Sequence, residues 1–102
     1  MNNQKIIGYL GLAARARKIV TGEEQVLITI RNQSAKIVFL ASDAGVNTTK
    51  RITDKSAFYH IKLVTSLSGS DLSKAIGKEN RKLIAITDQH FAEMIKNAIE
   101  EL

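Results

Sequence analysis

Leu83-Ile84-Ala85-Ile86-Thr87-Asp88-Gln89-His90-Phe91-Ala92-Glu93-Met94-Ile95-Lys96-Asn97-Ala98-Ile99 changes its period in the middle. The first four residues form an unbroken, β-rich apolar run of strand length. From Phe91 onward, Phe91, Met94, Ile95, Ala98, Ile99 and Leu102 fall at i, i+3, i+4, i+7, i+8 and i+11, one apolar stripe at helical spacing. Thr87 or Asp88, between the two patterns, can cap the helix. The stretch reads as strand, polar turn and amphipathic helix, with the stripe on a core.

The same unit recurs upstream. Ile37-Val38-Phe39-Leu40-Ala41 runs into Ser42-Asp43-Ala44-Gly45, and Ile61-Lys62-Leu63-Val64 into Thr65-Ser66-Leu67-Ser68-Gly69. Each polar stretch opens a plausible helix. Strand–loop–helix alternation marks an α/β layer fold. It also places the loops that follow the strands on one edge of the sheet, where such folds put their sites. At the N-terminus, Ile6, Ile7, Leu10, Ala13 and Ala14 repeat the helical stripe, and Arg15-Ala16-Arg17-Lys18 brings cations to the negative end of the helix dipole. Residues 19–32 are ambiguous. Val26-Leu27-Ile28-Thr29-Ile30 reads locally as a strand, yet Thr21-Gly22-Glu23-Glu24 has the capping-box form with Thr21 at the N-cap. The helix reading over residues 22–32 is preferred.

Bulk properties narrow the class. A chain of 102 residues fits one domain over residues 1–102. It has no cysteine, which removes disulfides, thiol nucleophiles and cysteine-bound zinc. No apolar run is long enough to span a membrane, and the N-terminal stretch, lacking a cleavage-like site, reads as a helix of the mature fold. A cytoplasmic protein with no membrane partner is expected. The Asn-x-Ser/Thr triplets at Asn32 and Asn47 then read as chance. The formal charge of +5 is unevenly placed. Residues 1–82 hold 14 Lys+Arg against 6 Asp+Glu, whereas residues 83–102 hold 1 against 4. A basic body with an acidic last helix favours a polyanionic partner on one side.

Nothing in the chain assembles into chemistry. His60 and His90 lie thirty residues apart without acidic or cysteine company, and read as ordinary surface or edge residues. Nucleophile elbow, P-loop and GxGxxG are absent. Glu23 and Glu24 are adjacent, so they do not face each other on a helix. The expectation is no enzyme, no catalytic residue, no metal and no cofactor. Basic residues do gather beside glycine-marked turns: Arg15, Arg17 and Lys18 before Gly22, and Lys74, Lys78, Arg81 and Lys82 around Gly77. Such cations give phosphate affinity without sequence readout, and free N–H groups at a helix start can meet phosphates. Aromatic residues make up 5% and none interleaves with these clusters, which favours a shape reader of folded RNA over a base-stacking platform.

Several segments, in order, carry a resemblance. They are Leu10-Gly11-Leu12-Ala13-Ala14-Arg15-Ala16-Arg17-Lys18, Gly22-Glu23, Arg31-Asn32, Ala35-Lys36-Ile37-Val38, Asp43-Ala44, Asn47-Thr48-Thr49-Lys50, Asp71-Leu72-Ser73-Lys74-Ala75-Ile76-Gly77-Lys78 and Thr87-Asp88. With these spacings the chain resembles the YlxQ-like bacterial branch of the ribosomal-protein superfamily that binds kink-turn RNA. The resemblance implies a three-layer α-β-α sandwich with a four-stranded mixed sheet, and a short extra strand near Lys18-Ile19-Val20. It implies recognition of a bent RNA built on tandem sheared G·A pairs, by the start of the second helix and by an apolar loop before a helix starting at Leu72. It associates no catalysis with the stand-alone domain.

Carried over residue by residue, the glycine opening the reading helix is Gly22, next to Thr21. Family readers then carry Asn-Glu and a lysine; the aligned positions here are Glu24, Gln25 and Ile28. Gln25 offers amide hydrogen bonds to a guanine edge, and Glu24 accepts from guanine N–H groups but repels phosphate. Ile28 makes no contact to guanine acceptors, a loss of about 1–3 kcal/mol of discrimination. Arg31, one turn on, is a candidate replacement cation. The apolar loop aligns with Leu67-Ser68-Gly69-Ser70, where Leu67 either packs on an extruded nucleotide or tucks under its own loop. Arg15, Lys18, Arg31 and Lys74 are phosphate contacts. The expected protein is a monomer that binds ribosomal or other kink-turn RNA, with room for a protein partner in a ribonucleoprotein. The alternative is a protein-interaction scaffold on the same fold with weak or no RNA binding.

Overall fold

The computed structural model describes residues 1–101. The sequence stripe position at Leu102 lies outside the described residues. The elements run α1 (Asn3–Arg15), β1 (Ile19–Thr21), α2 (Glu23–Arg31), β2 (Ile37–Leu40), α3 (Val46–Phe58), β3 (Lys62–Val64), α4 (Gly69–Ile76), β4 (Leu83–Ile86) and α5 (Gln89–Glu100). The four strands form one mixed sheet in the order β1-β4-β2-β3, with β2 and β3 parallel and β4 antiparallel to both its neighbours.

Side-chain alternation along the strands builds the layers. In β2, Ile37 and Phe39 point to one face with α1, α4 and α5, while Val38 and Leu40 point to the other with α2 and α3. Ile84 and Ile86 of β4 share the first face, and Leu83 and Ala85 the second. Both central strands are buried throughout, which is why they read as continuous apolar runs. The result is the expected three-layer α-β-α sandwich with a four-stranded mixed sheet, and the short extra strand is β1. On α5 the stripe centres on Ala92, Ile95 and Ala98, with Phe91 and Ile99 at its flanks. Asp88 caps it by accepting from the Phe91 N–H at 2.9 Å.

Three local readings change. Thr21 is not an N-cap: it pairs with Ile84 as the last residue of β1, and Gly22 takes the cap position without any side-chain cap. Strand pairing supersedes the capping-box pattern. The last apolar helix before β4 starts at Gly69, not Leu72, because Ser68 and Asp71 form a capping box. Finally, because β4 runs antiparallel, Thr87 and Asp88 leave the sheet on the edge opposite the other strand-following loops. Thr87 donates from both its N–H and its hydroxyl to the Lys18 carbonyl there. The edge reached by the ends of β1, β2 and β3 receives instead the residues before β4, Asn80, Arg81 and Lys82.

Candidate nucleic-acid interface

At that edge β1 ends and Gly22 turns the chain with φ 91° and ψ 145°, a conformation reserved for glycine. The first turn of α2 then receives no cap from its own side chains. Glu23 reaches across instead: its carboxylate accepts from the Thr48 hydroxyl at 2.6 Å and pairs with the Arg51 guanidinium, joining the starts of α2 and α3. The opening N–H groups of α2 therefore remain directed outward, an arrangement suited to an anion.

The start of α4 is finished differently. The Ser68 hydroxyl accepts from the Asp71 N–H at 3.1 Å, and Asp43, on the loop after β2, accepts from the Gly69 N–H at 2.8 Å. That backbone hydrogen bond is the main reason the Asp43 carboxyl lies below its usual value. Lys82 crosses the same spot. Its ammonium donates to the Asp43 carbonyl at 3.4 Å, and a Cβ built on Gly69 would come within 3.0 Å of its Cγ. The α4–β4 connection is fixed by the buried Ser73, whose hydroxyl accepts from the Arg81 N–H at 2.8 Å and donates to the Arg81 carbonyl at 3.2 Å. Among the described residues the buried Arg81 Nε has no hydrogen-bond partner.

Two hollows open here. One, of about 460 Å³, lies between Gly22, Thr21 and Thr48 on one side and Arg81 and Lys82 on the other. The second, of about 520 Å³, is bounded by Gly69, Ser70, Lys74 and Lys78. Asn80 and Lys82 line both, so the two hollows adjoin along this edge and together make up its cleft. Thr21, Gly22, Ser68, Gly69, Ser70 and Lys74 of the sequence-derived site thus meet at one edge. Glu24 and Gln25 are exposed on the first turn of α2, and Ile28 stands 49% exposed one turn further on. Glu24, Ile28 and Arg31 line a separate hollow on the flank of α2 with Leu27 and Arg51.

Leu67 is 4% exposed and belongs to the core cluster of α1, α4 and α5. It tucks under its own loop. Arg15 and Lys18 do not join the cleft. Lys18 sits at the far end of β1 beside Thr87, and Arg15 lies at the end of α1. Asp43 and Thr48 were noted in the sequence only within segments that carry the resemblance, with no site role, Asn80 was not singled out, and Arg81 and Lys82 were noted only as cations near Gly77. The placement of Asn80, Arg81 and Lys82 depends on the direction of β4, which local sequence does not encode. Among the described residues no group of three or more His, Cys, Asp or Glu side chains is placed to hold a metal ion. No helix among them is long and apolar enough to cross a membrane.

Fold and edge together define a small α-β-α sandwich that brings helix starts and cations to one side of a mixed sheet. The chain belongs to the ribosomal protein L7Ae/L30e/S12e/Gadd45 family, whose model matches residues 4–96. It is 44% identical over 99 residues to the RNA-binding protein YlxQ of Enterococcus faecium, covering 97% of this chain and 95% of that protein. It is 42% identical over 100 residues to the RNA-binding protein YlxQ of Bacillus subtilis (strain 168), covering 98% of this chain and 100% of that protein. Among solved structures, a Bacillus halodurans protein of unknown function superposes with a TM-score of 0.90 at 40% identity, over 95% of this chain and 98% of that one. The Giardia lamblia 15.5kD RNA binding protein shares the fold, with a TM-score of 0.84 at 14% identity over 95% of this chain and 83% of that one.

Proposed function

We propose that this chain binds structured RNA of the kink-turn kind, as a non-enzymatic, monomeric, cytoplasmic component of a ribosomal or other ribonucleoprotein. The observation that carries the reading is the cleft edge: the uncapped start of α2 at Gly22 faces Arg81 and Lys82, and the start of α4 continues it. Phosphates meet the α2 N–H groups, Lys74, Lys82 and Arg81, and the kink is read by Gly22, Glu24 and Gln25 with Ser68, Gly69 and Ser70. The two YlxQ relatives, named as RNA-binding proteins and similar over nearly their whole length, support it.

Specificity in this reading departs from the Asn-Glu-lysine pattern at Glu24, Gln25 and Ile28. Glu24 selects guanine N–H donors and holds phosphate away from the first turn of α2, while Ile28 leaves one guanine contact unmade, so base-edge discrimination is weaker and affinity leans on the phosphate contacts of Lys74, Arg81 and Lys82. A titration of kink-turn RNA against a version with its G·A pairs replaced, at several salt concentrations, tests this. Salt-sensitive binding that weakens on replacement is expected. Equal affinity for kinked and straight duplex contradicts it.

One observation favours the second reading, a protein-interaction scaffold with weak or no RNA binding. Ile28 presents an exposed apolar side chain on the helix that would read RNA. A stoichiometric protein partner recovered after nuclease treatment, together with no RNA affinity, would establish it.

A further inference from the structure

Away from the cleft, a hollow of about 380 Å³ lies between the end of α1, the start of β1 and the end of α4. Its lining is Ala14, Ile19 and Ile76 as an apolar floor, with Arg15, Arg17 and Lys78 around it. Glu23, Asp43, Glu24 and Asp54 each sit in one of four other hollows, but this one has no carboxylate in its lining. Among the described residues none of its three cations forms an ion pair, whereas Lys82 at the cleft is partly satisfied by Asp43.

The hollow is held by the backbone. Gly11 lets α1 press against α4, since a Cβ there would lie 2.9 Å from the Ala75 carbonyl oxygen. That approach sets Arg15 beside Ile76 and Lys78. Arg17 follows in the left-handed region at φ 61°, where glycine is the unstrained choice. Lys78 also lines the hollow beside Gly69 and Lys74, so the two hollows are neighbours. Asp43 and Glu79 stand among the lysines of that neighbouring hollow, so the carboxylate-free cationic surface is the one at Arg15 and Arg17.

We infer that this hollow is a second RNA contact, one that holds the phosphate backbone of a strand flanking the kink. The inference rests on the kinked-RNA reading and extends its footprint. Unpaired cations release counterions when phosphates arrive, and the apolar floor accepts a sugar face without leaving a polar group unmatched. No base edge is read there, so the contact is indifferent to sequence.

The test uses a minimal kink-turn RNA and two longer forms, each with one arm extended by about one helical turn, titrated at several salt concentrations. The proteins are the unmodified chain and an Arg15→Gln/Arg17→Gly variant, which leaves Lys78, shared with the cleft, in place. Arg17→Gly removes a charge while relieving the positive φ. Single Arg15→Gln and Arg17→Gly variants, with circular dichroism melts, secure the reading if the double variant folds poorly. One of the two extensions is expected to raise affinity of the unmodified chain about tenfold, with a log–log salt slope steeper by about 2. The variant should lose that gain and still bind the minimal RNA within about twofold. A gain that persists in the variant, no gain from either arm, or an equal loss on minimal and extended RNA would overturn the inference. A G·A-replaced minimal RNA run alongside separates the two claims. If the unmodified chain does not distinguish it from the intact RNA, the kink reading fails, while the extension gain still reports on the hollow.

Discussion

At Gly22 the chain leaves β1 with φ 91° and ψ 145°, and no neighbouring atom lies within 4 Å of where a Cβ would sit. Conformation, not space, demands glycine there. Gly22→Ala should lower stability by about 1–3 kcal/mol in urea unfolding, and should weaken RNA binding by turning the α2 N–H groups away. Ile28 poses the opposite case. It is 49% exposed and belongs to neither core cluster, so Ile28→Lys should change stability by less than about 0.5 kcal/mol. On the kinked-RNA reading the same change restores a guanine contact and should raise discrimination for intact G·A pairs about tenfold in a binding titration. Both positions were legible in the sequence. Leu67 was not: an apolar residue in a polar loop fits a nucleotide or a core equally, and only burial against α4 decides.

Among elements, α4 depends on ends that come from different parts of the chain. Ser68→Ala removes the hydroxyl that accepts from the Asp71 N–H and should cost about 1 kcal/mol, seen as a lower urea midpoint with unchanged m-value. Gly11→Ala forces a Cβ to 2.9 Å from the Ala75 carbonyl, a backbone atom that cannot swing aside. It should cost about 1–3 kcal/mol, although alanine is the better helix former. Element type was readable from period at β2, β4, α1 and α5, but not over residues 19–32, where Val26-Leu27-Ile28-Thr29-Ile30 reads locally as a strand and lies in helix α2. Element direction was not readable. The residues Leu83-Ile84-Ala85-Ile86 fit a parallel or an antiparallel strand equally well, and the antiparallel choice moves Arg81 and Lys82 to the cleft and Thr87 away from it. Likewise Thr21 looked like a cap until its pairing with Ile84 gave it to the sheet.

For the whole molecule, the two described ends of the chain are clasped. The Met1 amino group donates to the Glu101 carbonyl at 2.6 Å, and the Lys5 ammonium donates to both Glu101 carboxylate oxygens at 3.1 and 3.0 Å. That side-chain hydrogen bond is the main cause both of the raised Lys5 and of the lowered Glu101. A lowered carboxyl contributes stability above its ordinary value of 4.5, and the contribution is lost as pH falls through the folded value. A raised lysine contributes below 10.5 and loses its contribution as pH rises through the folded value. Asp43, lowered chiefly by the Gly69 N–H, behaves as Glu101 does. Melting temperature should therefore hold level between the two limits and fall in acid, and an Asp43→Asn/Glu101→Gln variant should show a shallower acid fall. Amide chemical-shift mapping of the labelled protein with a kink-turn RNA tests the central claim most directly. The account predicts the largest shifts at Gly22, Glu24, Gln25, Gly69, Ser70, Lys74 and Lys82, with the outer face of α5 silent. Shifts centred on Thr87, His90 and Glu93, with Gly22 and Lys82 unmoved, would contradict it.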